Sequence, residues 1–133
     1  FPYTTLFRSD RVEFEGEFKK DKCGNTRKWY GKGYDENGNV IYELINGSGK
    51  VKLYNIYGNV YYEGEYSNGE KNGKGKEYDK NGNIEFEGEF LNDRQWNGIY
   101  KIYDENGKVE YEREYKEGIR QGNWKSKVTI TIG

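Results

Sequence analysis

The sequence of 133 residues lacks histidine and methionine, and it contains a single proline and a single cysteine. The absence of histidine excludes Ser–His and Cys–His nucleophilic catalysis, histidine general-base chemistry and most zinc sites. Cys23 lies in a polar stretch with no second cysteine, which excludes an internal disulfide and predicts an incidental free thiol. These absences predict a protein that is not an enzyme and that holds no metal and no cofactor.

Long hydrophobic runs and an excess of one charge are missing as well. No stretch approaches the ~20 apolar residues that span a bilayer, and no basic-then-apolar signal peptide is visible. There are 22 basic and 23 acidic residues, which gives a net charge of −1. Because this balance gives no long-range attraction to a polyanion, we expect no nucleic-acid partner. We expect a cytoplasmic or a peripheral membrane location.

Hydrophobic residues are scarce but regularly placed. They make up 32% of the chain, and the mean hydropathy is −1.22. Such values are typical of disorder, because little apolar surface is available to offset chain entropy. However, the aromatic residues (17% of the chain, with 14 tyrosines) and the 19 glycines recur periodically. This periodicity favours a thin β-architecture over a disordered chain.

A unit of strand, loop, strand and turn repeats along most of the chain. Aligned on their first apolar residue, the copies begin at Val12, Val40, Val60, Ile84 and Val109. In the first copy, Val12, Phe14, Gly16 and Phe18 alternate with three glutamates, as in a strand with one apolar face. Alternating Val128, Ile130 and Ile132 predict a closing strand at the other end of the chain.

Residues 1–10 fit no repeat. We therefore expect a non-native or disordered leader at 1–10 and a repeat domain at 11–133. An edge strand of the sheet is the alternative for the leader.

The turns between copies allow a prediction of strand register. Asn37-Gly38, Tyr57-Gly58, Asn81-Gly82 and Asn106-Gly107 are predicted to form two-residue type I′ hairpin loops. This geometry places lysines opposite glutamates at Lys32–Glu43, Lys50–Glu65, Lys52–Glu63, Lys74–Glu89, Lys76–Glu87 and Lys101–Glu112. It also places Asp79 opposite Ile84, and Gly75 opposite Gly88, where the glycines leave room for aromatic rings. The predicted fold is all-β: a single elongated, twisted antiparallel meander of stacked β-hairpins, with one charged and one aromatic face.

The third copy resembles a MORN repeat. Its matching residues are Tyr62, Gly64, Tyr66, Asn68, Gly69, Gly73, Gly75 and Tyr78. The D-x-N-G endings and the G-x-W at Gly122 are more similar to the bacterial variant of the repeat, some members of which carry an antitoxin-like label. The resemblance implies an elongated β-sheet scaffold without catalytic residues of its own. It also implies protein–protein contact, dimerisation, and in some members association with phospholipid membranes.

Two sets of side chains are candidates for binding. The first is the aromatic row, Phe14, Phe18, Tyr42, Tyr62, Tyr66, Phe86, Phe90, Tyr111 and Tyr115. Such a row either packs the sheet or stacks on sugars. The second is a series of basic residues in the loops that follow each first strand: Lys19, Lys20, Lys22, Arg27, Lys28, Lys71, Arg94 and Arg120. Basic loops of this kind can contact anionic lipid or an acidic partner.

Two other patterns favour a structural interpretation. In the D-x-N-G turns, glycine comes too early for a calcium loop of the EF-hand type, and strands flank it. The glutamates form regular rows opposite lysines rather than a separated pair in a cleft, which argues against glycosidase chemistry. The sequence therefore predicts a non-enzymatic scaffold for protein–protein interaction, with a homodimer among its assemblies. The alternatives are association with anionic membrane lipids through the basic loops and glycan binding on the aromatic face.

Overall fold

The structure is a computed structural model that describes residues 3–8 and 10–127, with side chains for 4–7 and 10–127. These residues form eleven strands and no helix. The strands are β1 (Tyr3–Arg8), β2 (Arg11–Lys20), β3 (Thr26–Tyr34), β4 (Val40–Leu44), β5 (Gly49–Tyr54), β6 (Val60–Ser67), β7 (Glu70–Tyr78), β8 (Ile84–Leu91), β9 (Arg94–Tyr103), β10 (Val109–Lys116) and β11 (Ile119–Ser126). Paired strands are consecutive and antiparallel, so the all-β fold of stacked hairpins is confirmed.

The hydrogen-bonded ladder divides into two sheets, one of four strands (β1–β4) and one of seven (β5–β11). This differs from the single continuous meander that the sequence predicted. Between β4 and β5 the pairing is reduced to one bridge, Ile45–Ser48. The cause is the eroded second copy, because Tyr42–Tyr54 is four residues shorter than the corresponding Tyr62–Tyr78. The arms of this hairpin are too short to continue the ladder.

The six predicted Lys–Glu rungs are all confirmed as directly paired residues. The predicted type I′ turn is wrong, however. At the β7–β8 turn only Gly82 has a positive φ (84°); the Asp79 N–H donates to the Asn83 carbonyl at 2.8 Å and the Gly82 N–H to the Asp79 carbonyl at 3.1 Å. This loop is one residue longer, so Tyr78 rather than Asp79 pairs with Ile84. A β-bulge at Glu85 then restores the predicted register.

Two-residue turns with positive φ at both positions occur at the opposite edge of the sheets. Asn46 and Gly47 have φ of 52° and 78°, and Asn68 and Gly69 have 53° and 75°. The Asn-Gly pairs thus favour the I′ geometry where they follow the first strand of a copy, and not where an aspartate precedes them.

One apolar core spans both sheets. Its buried members are Phe14, Tyr42, Leu44, Val51, Leu53, Tyr62, Phe86 and Phe90. Glycines on neighbouring strands make room for the rings. A methyl group added to Gly75 would lie 2.7 Å from the Tyr62 hydroxyl oxygen, and one added to Gly98 would lie 2.9 Å from Cζ of Phe86. The predicted role of Gly75 is therefore confirmed.

The N-terminal segment forms β1, which pairs with β2. This is the edge strand that the sequence left open as the alternative for residues 1–10. That the segment is foreign to the repeat domain stays a prediction. The predicted closing strand at Val128, Ile130 and Ile132 lies outside the described residues.

Candidate interaction surfaces

The aromatic face is closed by its own packing. Phe14, Tyr62 and Phe86 have no exposed surface. Edge-to-face contacts join Tyr62 to Phe90 and Phe86 to Phe90, both with 5.3 Å between ring centroids, and Phe86 also meets Tyr115 at 5.7 Å. Tyr100, absent from the sequence prediction, stacks on Tyr115 at 6.5 Å. The packing interpretation of this row is the one that the geometry favours.

The nine predicted aromatic residues do not all share this environment. Phe14, Tyr42, Tyr62, Phe86 and Phe90 are buried, and Phe18, Tyr66 and Tyr115 pack against them half-buried. Tyr111 is 38% exposed. It lies on β10, next to the last described strand, where fewer rings are available to cover it.

Polar groups complete the aromatic face. The Tyr62 hydroxyl donates to the Glu65 carbonyl at 2.9 Å. Burial, reinforced by the nearby Glu77 carboxylate, raises the pKa of Tyr62, so its hydroxyl stays protonated. Lys71 lies 4.9 Å above the Tyr62 ring and pairs with Glu77 at 2.9 Å. Charges on this face are therefore engaged with each other and with the rings.

Seven of the eight basic candidates lie in strands rather than in the predicted loops, because the strands extend further than the sequence indicated; of the eight, Lys22 is in a loop. Most of these residues are engaged within the protein. The guanidinium of Arg27 contacts three carboxylates, Asp93 at 2.6 Å, Asp21 at 3.2 Å and Glu70 at 3.3 Å. Burial acts to lower the pKa of Arg27, but the hydrogen bonds to Asp93 and Asp21 outweigh it and raise the pKa above its ordinary value. This side chain is the centre of an ion cluster rather than an open cation.

The other basic candidates divide into two groups. Lys28 pairs with Glu13 at 3.2 Å, Lys19 lies 4.4 Å from the Trp29 ring centroid, and the Arg120 Nε donates to the Tyr115 hydroxyl at 3.2 Å. Lys71 belongs to the aromatic face. Lys20, Lys22 and Arg94 are exposed. The structure therefore does not gather the eight candidates into one basic surface, and their binding role stays a prediction.

A groove on the charged face was not predicted. It is open and has a volume of about 700 Å³. Its walls are two rows of lysine and glutamate, Lys52–Glu63–Lys76–Glu87 and Lys50–Glu65–Lys74–Glu89, and its floor follows Gly64, Gly75 and Gly88. We call this the lattice groove. In the second row the pairing between β6 and β7 is interrupted, and the Glu65 carboxylate accepts the backbone N–H of Lys74. The sequence predicted the four Lys–Glu pairs of these rows, but not how β6 joins β7 or the curvature that makes the space between the rows hollow.

The ion pairs of the lattice groove are loose. Only Lys52–Glu63 at 3.8 Å and Lys76–Glu87 at 3.5 Å come within pairing distance among the predicted rungs of the described chain, and all four side chains are 43–48% exposed. Exposed pairs of this kind contribute at most ~1 kcal/mol each. The side chains of these two pairs can therefore separate and pair with charges of an external partner at little cost in free energy.

Comparison with known protein families identifies repeat motifs in three segments of the chain. The MORN repeat profile matches residues 14–25 and 62–84, and the MORN repeat variant profile matches residues 96–117. The chain contains MORN repeats. In the same comparisons, no curated protein and no solved structure matches it.

The matched segments agree with the structural repeat. The MORN match at 62–84 runs from Tyr62 through the hairpin β6–β7 to the first residue of β8. The variant match covers the end of the fourth copy and the start of the fifth, including the Asp104–Gly107 turn. The predicted relation to both forms of the repeat is thus confirmed, whereas the antitoxin-like label stays a prediction. The MORN repeat itself is a non-enzymatic unit.

Among the described residues, no three acidic, cysteine or histidine side chains come together in a way that could hold a metal ion. The same part of the chain contains no helix that could cross a bilayer. The aspartates of the turns serve the backbone. The Asp35 carboxylate accepts the N–H groups of Asn37 and Asn39, both at 2.9 Å.

Proposed function

We propose that this protein is a non-enzymatic scaffold that binds a partner protein along the lattice groove. The observation that carries the proposal is the groove itself. It is an open hollow of about 700 Å³ that crosses strands β5–β8, and the two ion pairs along one of its walls are exposed and loose. A surface whose ion pairs are exposed and weak can re-pair with a partner without leaving buried charges unsatisfied.

The charge pattern of the groove indicates the kind of partner. Along each wall the sign changes at every strand, a spacing of ~4.8 Å. A polyanion or a polycation would be repelled by every second residue. A polypeptide segment that carries both signs matches the pattern, and such complementarity contributes more to specificity than to affinity.

The two alternatives have less support. Glycan binding needs open ring faces, and the aromatic row is covered by its own edge-to-face contacts. Lipid binding needs a cluster of available cations, and Arg27, Lys28 and Lys71 are paired with carboxylates. Lys20, Lys22 and Arg94 remain for a lipid contact, which the test below includes.

The proposal is tested by affinity capture from the source lysate with three forms of the chain. The groove variant Lys52→Glu/Lys76→Glu turns one wall wholly acidic. The matched control Lys20→Glu/Lys22→Glu makes the same charge change at two exposed residues, at the end of β2 and in the loop that follows it. We expect a partner protein that is retained by the wild type and by the control, and that binds the groove variant at least about tenfold more weakly when purified and titrated by calorimetry.

Two results would count against the proposal. The first is a partner whose affinity is unchanged by the groove variant. The second is co-sedimentation with phosphatidylserine vesicles that weakens with salt and is lost in the matched control, which would support the lipid alternative instead. Circular dichroism and thermal melting of all three forms check that each is folded.

A further inference from the structure

One hairpin tip differs chemically from the others. Five turns of the described chain have the same five-residue form. One of them, residues 21–25, connects β2 to β3 at the opposite edge, and the other four, residues 35–39, 55–59, 79–83 and 104–108, lie at one edge of the sheets. The residues at their second and third positions are Glu36-Asn37, Lys80-Asn81 and Glu105-Asn106 in three of them, and Ile56-Tyr57 in the fourth. Ile56 is 70% exposed and Tyr57 81%, the highest values of any large hydrophobic residues that the structure describes.

The fold does not require these two side chains. The Asn55 N–H donates to the Asn59 carbonyl at 2.8 Å, and the Asn55 side-chain oxygen accepts the N–H of Tyr57 at 2.9 Å and of Asn59 at 3.1 Å. The other three tips form the same bonds with polar residues at the two exposed positions. Ile56 and Tyr57 therefore expose apolar surface to water although the turn does not need them in order to form.

The surroundings of the tip are acidic. A methyl group added to Gly58 would lie 3.9 Å from a carboxylate oxygen of Glu36, so the tips at 35–39 and 55–59 are side by side. Along this edge the tips carry Asp35, Glu36, Asp79, Asp104 and Glu105, against Lys80 and Lys108, and Arg11 pairs with Glu36 at 3.1 Å. Even with Arg11 counted, carboxylates outnumber cations along this edge. An anionic bilayer would therefore be repelled, and a polypeptide segment that carries lysine or arginine would be attracted.

A hollow connects the tip with the lattice groove. It has a volume of about 410 Å³ and lies between the tips at 55–59 and 79–83. Lys52 and Glu63 line both this hollow and the groove. A partner that follows the groove toward this edge therefore reaches the tip without leaving the surface.

We propose that Ile56 and Tyr57 are the anchor by which the scaffold engages a segment of a partner protein in which large apolar side chains stand next to lysine and arginine. This inference rests on the proposed function and adds the anchoring residues and the chemistry of the partner. Tyrosine is among the residues that most often dominate binding energy when buried at the centre of an interface. The neighbouring tip places Glu36 beside the anchor, and the net negative charge of this edge favours a basic partner.

The test variant is Ile56→Lys/Tyr57→Asn, which gives this tip the two residues found at 80 and 81. Because the same pair already occupies that position in the same turn, we expect the variant to fold with a Tm within about 3 °C of the wild type. The control is Glu105→Lys, which changes charge at an equivalent tip and leaves the anchor intact.

The probe is a phage library of random dodecapeptides, first cleared on the tip variant and then selected on the wild type. We expect selected peptides to combine large apolar residues with lysine or arginine. A synthetic peptide of the consensus sequence should bind the wild type and the Glu105→Lys control at least about tenfold more tightly than the tip variant. Its affinity for the wild type should fall as salt is raised.

Several results would overturn the anchor. They are the absence of any peptide that survives the clearing step, a consensus without basic residues, vesicle binding that depends on Tyr57, and a dimer in sedimentation velocity that the tip variant abolishes. A lysate partner that is lost with the groove variant and kept by the tip variant would also overturn the anchor while leaving the proposed function intact. Loss with neither variant would overturn both.

Discussion

At the scale of single residues, the sheet is held together by rings that lie on glycines. Tyr62 has no exposed surface although it belongs to a single layer of strands. Its ring atoms Cε1 and Cζ lie 2.9 and 3.0 Å from the position of a methyl group on Gly75. Real carbon atoms do not approach so closely without displacement. The glycines of the repeat are thus required by the rings of the neighbouring strand.

The variant Gly75→Ala tests this requirement. Gly75 is not among the residues with positive φ, so the effect of a methyl group is steric rather than conformational. We expect a loss of about 1–3 kcal/mol in the free energy of unfolding, as for other overpacked sites, measured by urea denaturation.

Tyr62→Phe provides the partner for a double-mutant cycle. It removes the hydroxyl oxygen that lies 2.7 Å from the added methyl group. Combined with Gly75→Ala, it should therefore lose less stability than the two single changes added together. Additive losses would show that the ring does not respond to the methyl group.

At the scale of elements, the five-residue tips are small capped loops. Each is closed by an Asp or Asn side chain that accepts two backbone N–H groups, as Asp35 and Asn55 do. The hydrogen bond from the Asn39 N–H is the largest cause that lowers the pKa of Asp35, and the Asn37 N–H lowers it further. A carboxylate and a carboxamide therefore accept the same two backbone hydrogen bonds in this turn, but only the carboxylate titrates.

A pH prediction follows for Asp35→Asn. Because the pKa of Asp35 is lower in the folded state, its stabilising effect is present above the unfolded value of about 3.9 and is lost as the pH falls through the folded pKa. We expect the wild type to have a higher Tm than the variant near neutral pH. The difference should vanish in acid below the folded pKa.

The converse variant Asn55→Asp is the control for this prediction. It should introduce an acid-dependent component of Tm at a tip that has none. A difference between wild type and Asp35→Asn that is constant with pH would contradict the assignment of Asp35 as a charged cap.

The tips also show what sequence reasoning could and could not supply. The six Lys–Glu rungs were predicted correctly although the predicted turn type was wrong. The predicted loop was one residue too short and the bulge was missed, and these two errors in register cancel. The real loop holds one residue more than a type I′ turn, and the bulge at Glu85 adds one residue on the facing strand. Alternation fixes which residues share a face, so the rungs and the aromatic row were predictable. Bulges depend on backbone twist, and the break between β4 and β5 depends on the length of the hairpin. Neither follows from alternation, so the groove could not be predicted from the sequence.

At the scale of the whole molecule, the weak point is the junction between the two sheets. Backbone pairing there is a single bridge, Ile45–Ser48. Other contacts compensate. Arg27 on β3 reaches Glu70 and Asp93 of the seven-stranded sheet, and the Gly69 N–H donates to the Gly47 carbonyl at 2.9 Å. The ion cluster around Arg27 therefore acts across the place where the ladder stops.

The last prediction concerns this cluster. Arg27→Met keeps most of the side-chain volume and leaves Asp21, Glu70 and Asp93 without their shared cation. We expect a loss of about 1.5–3 kcal/mol, the range for hydrogen bonds to charged groups. Lys76→Met, which breaks the exposed Lys76–Glu87 rung, is the matched control and should change stability by no more than about 0.5 kcal/mol.

Hydrogen exchange distinguishes a lost junction from a general loss of stability. In Arg27→Met, amides of β1–β4 should exchange faster than amides of β6–β9, because the four-stranded sheet can then open without the rest. Adding Glu70→Gln and Asp93→Asn removes the repulsion between the remaining carboxylates and should recover part of the stability. Equal acceleration in both sheets would show that the junction is held by the apolar core, which spans the two sheets, and not by Arg27.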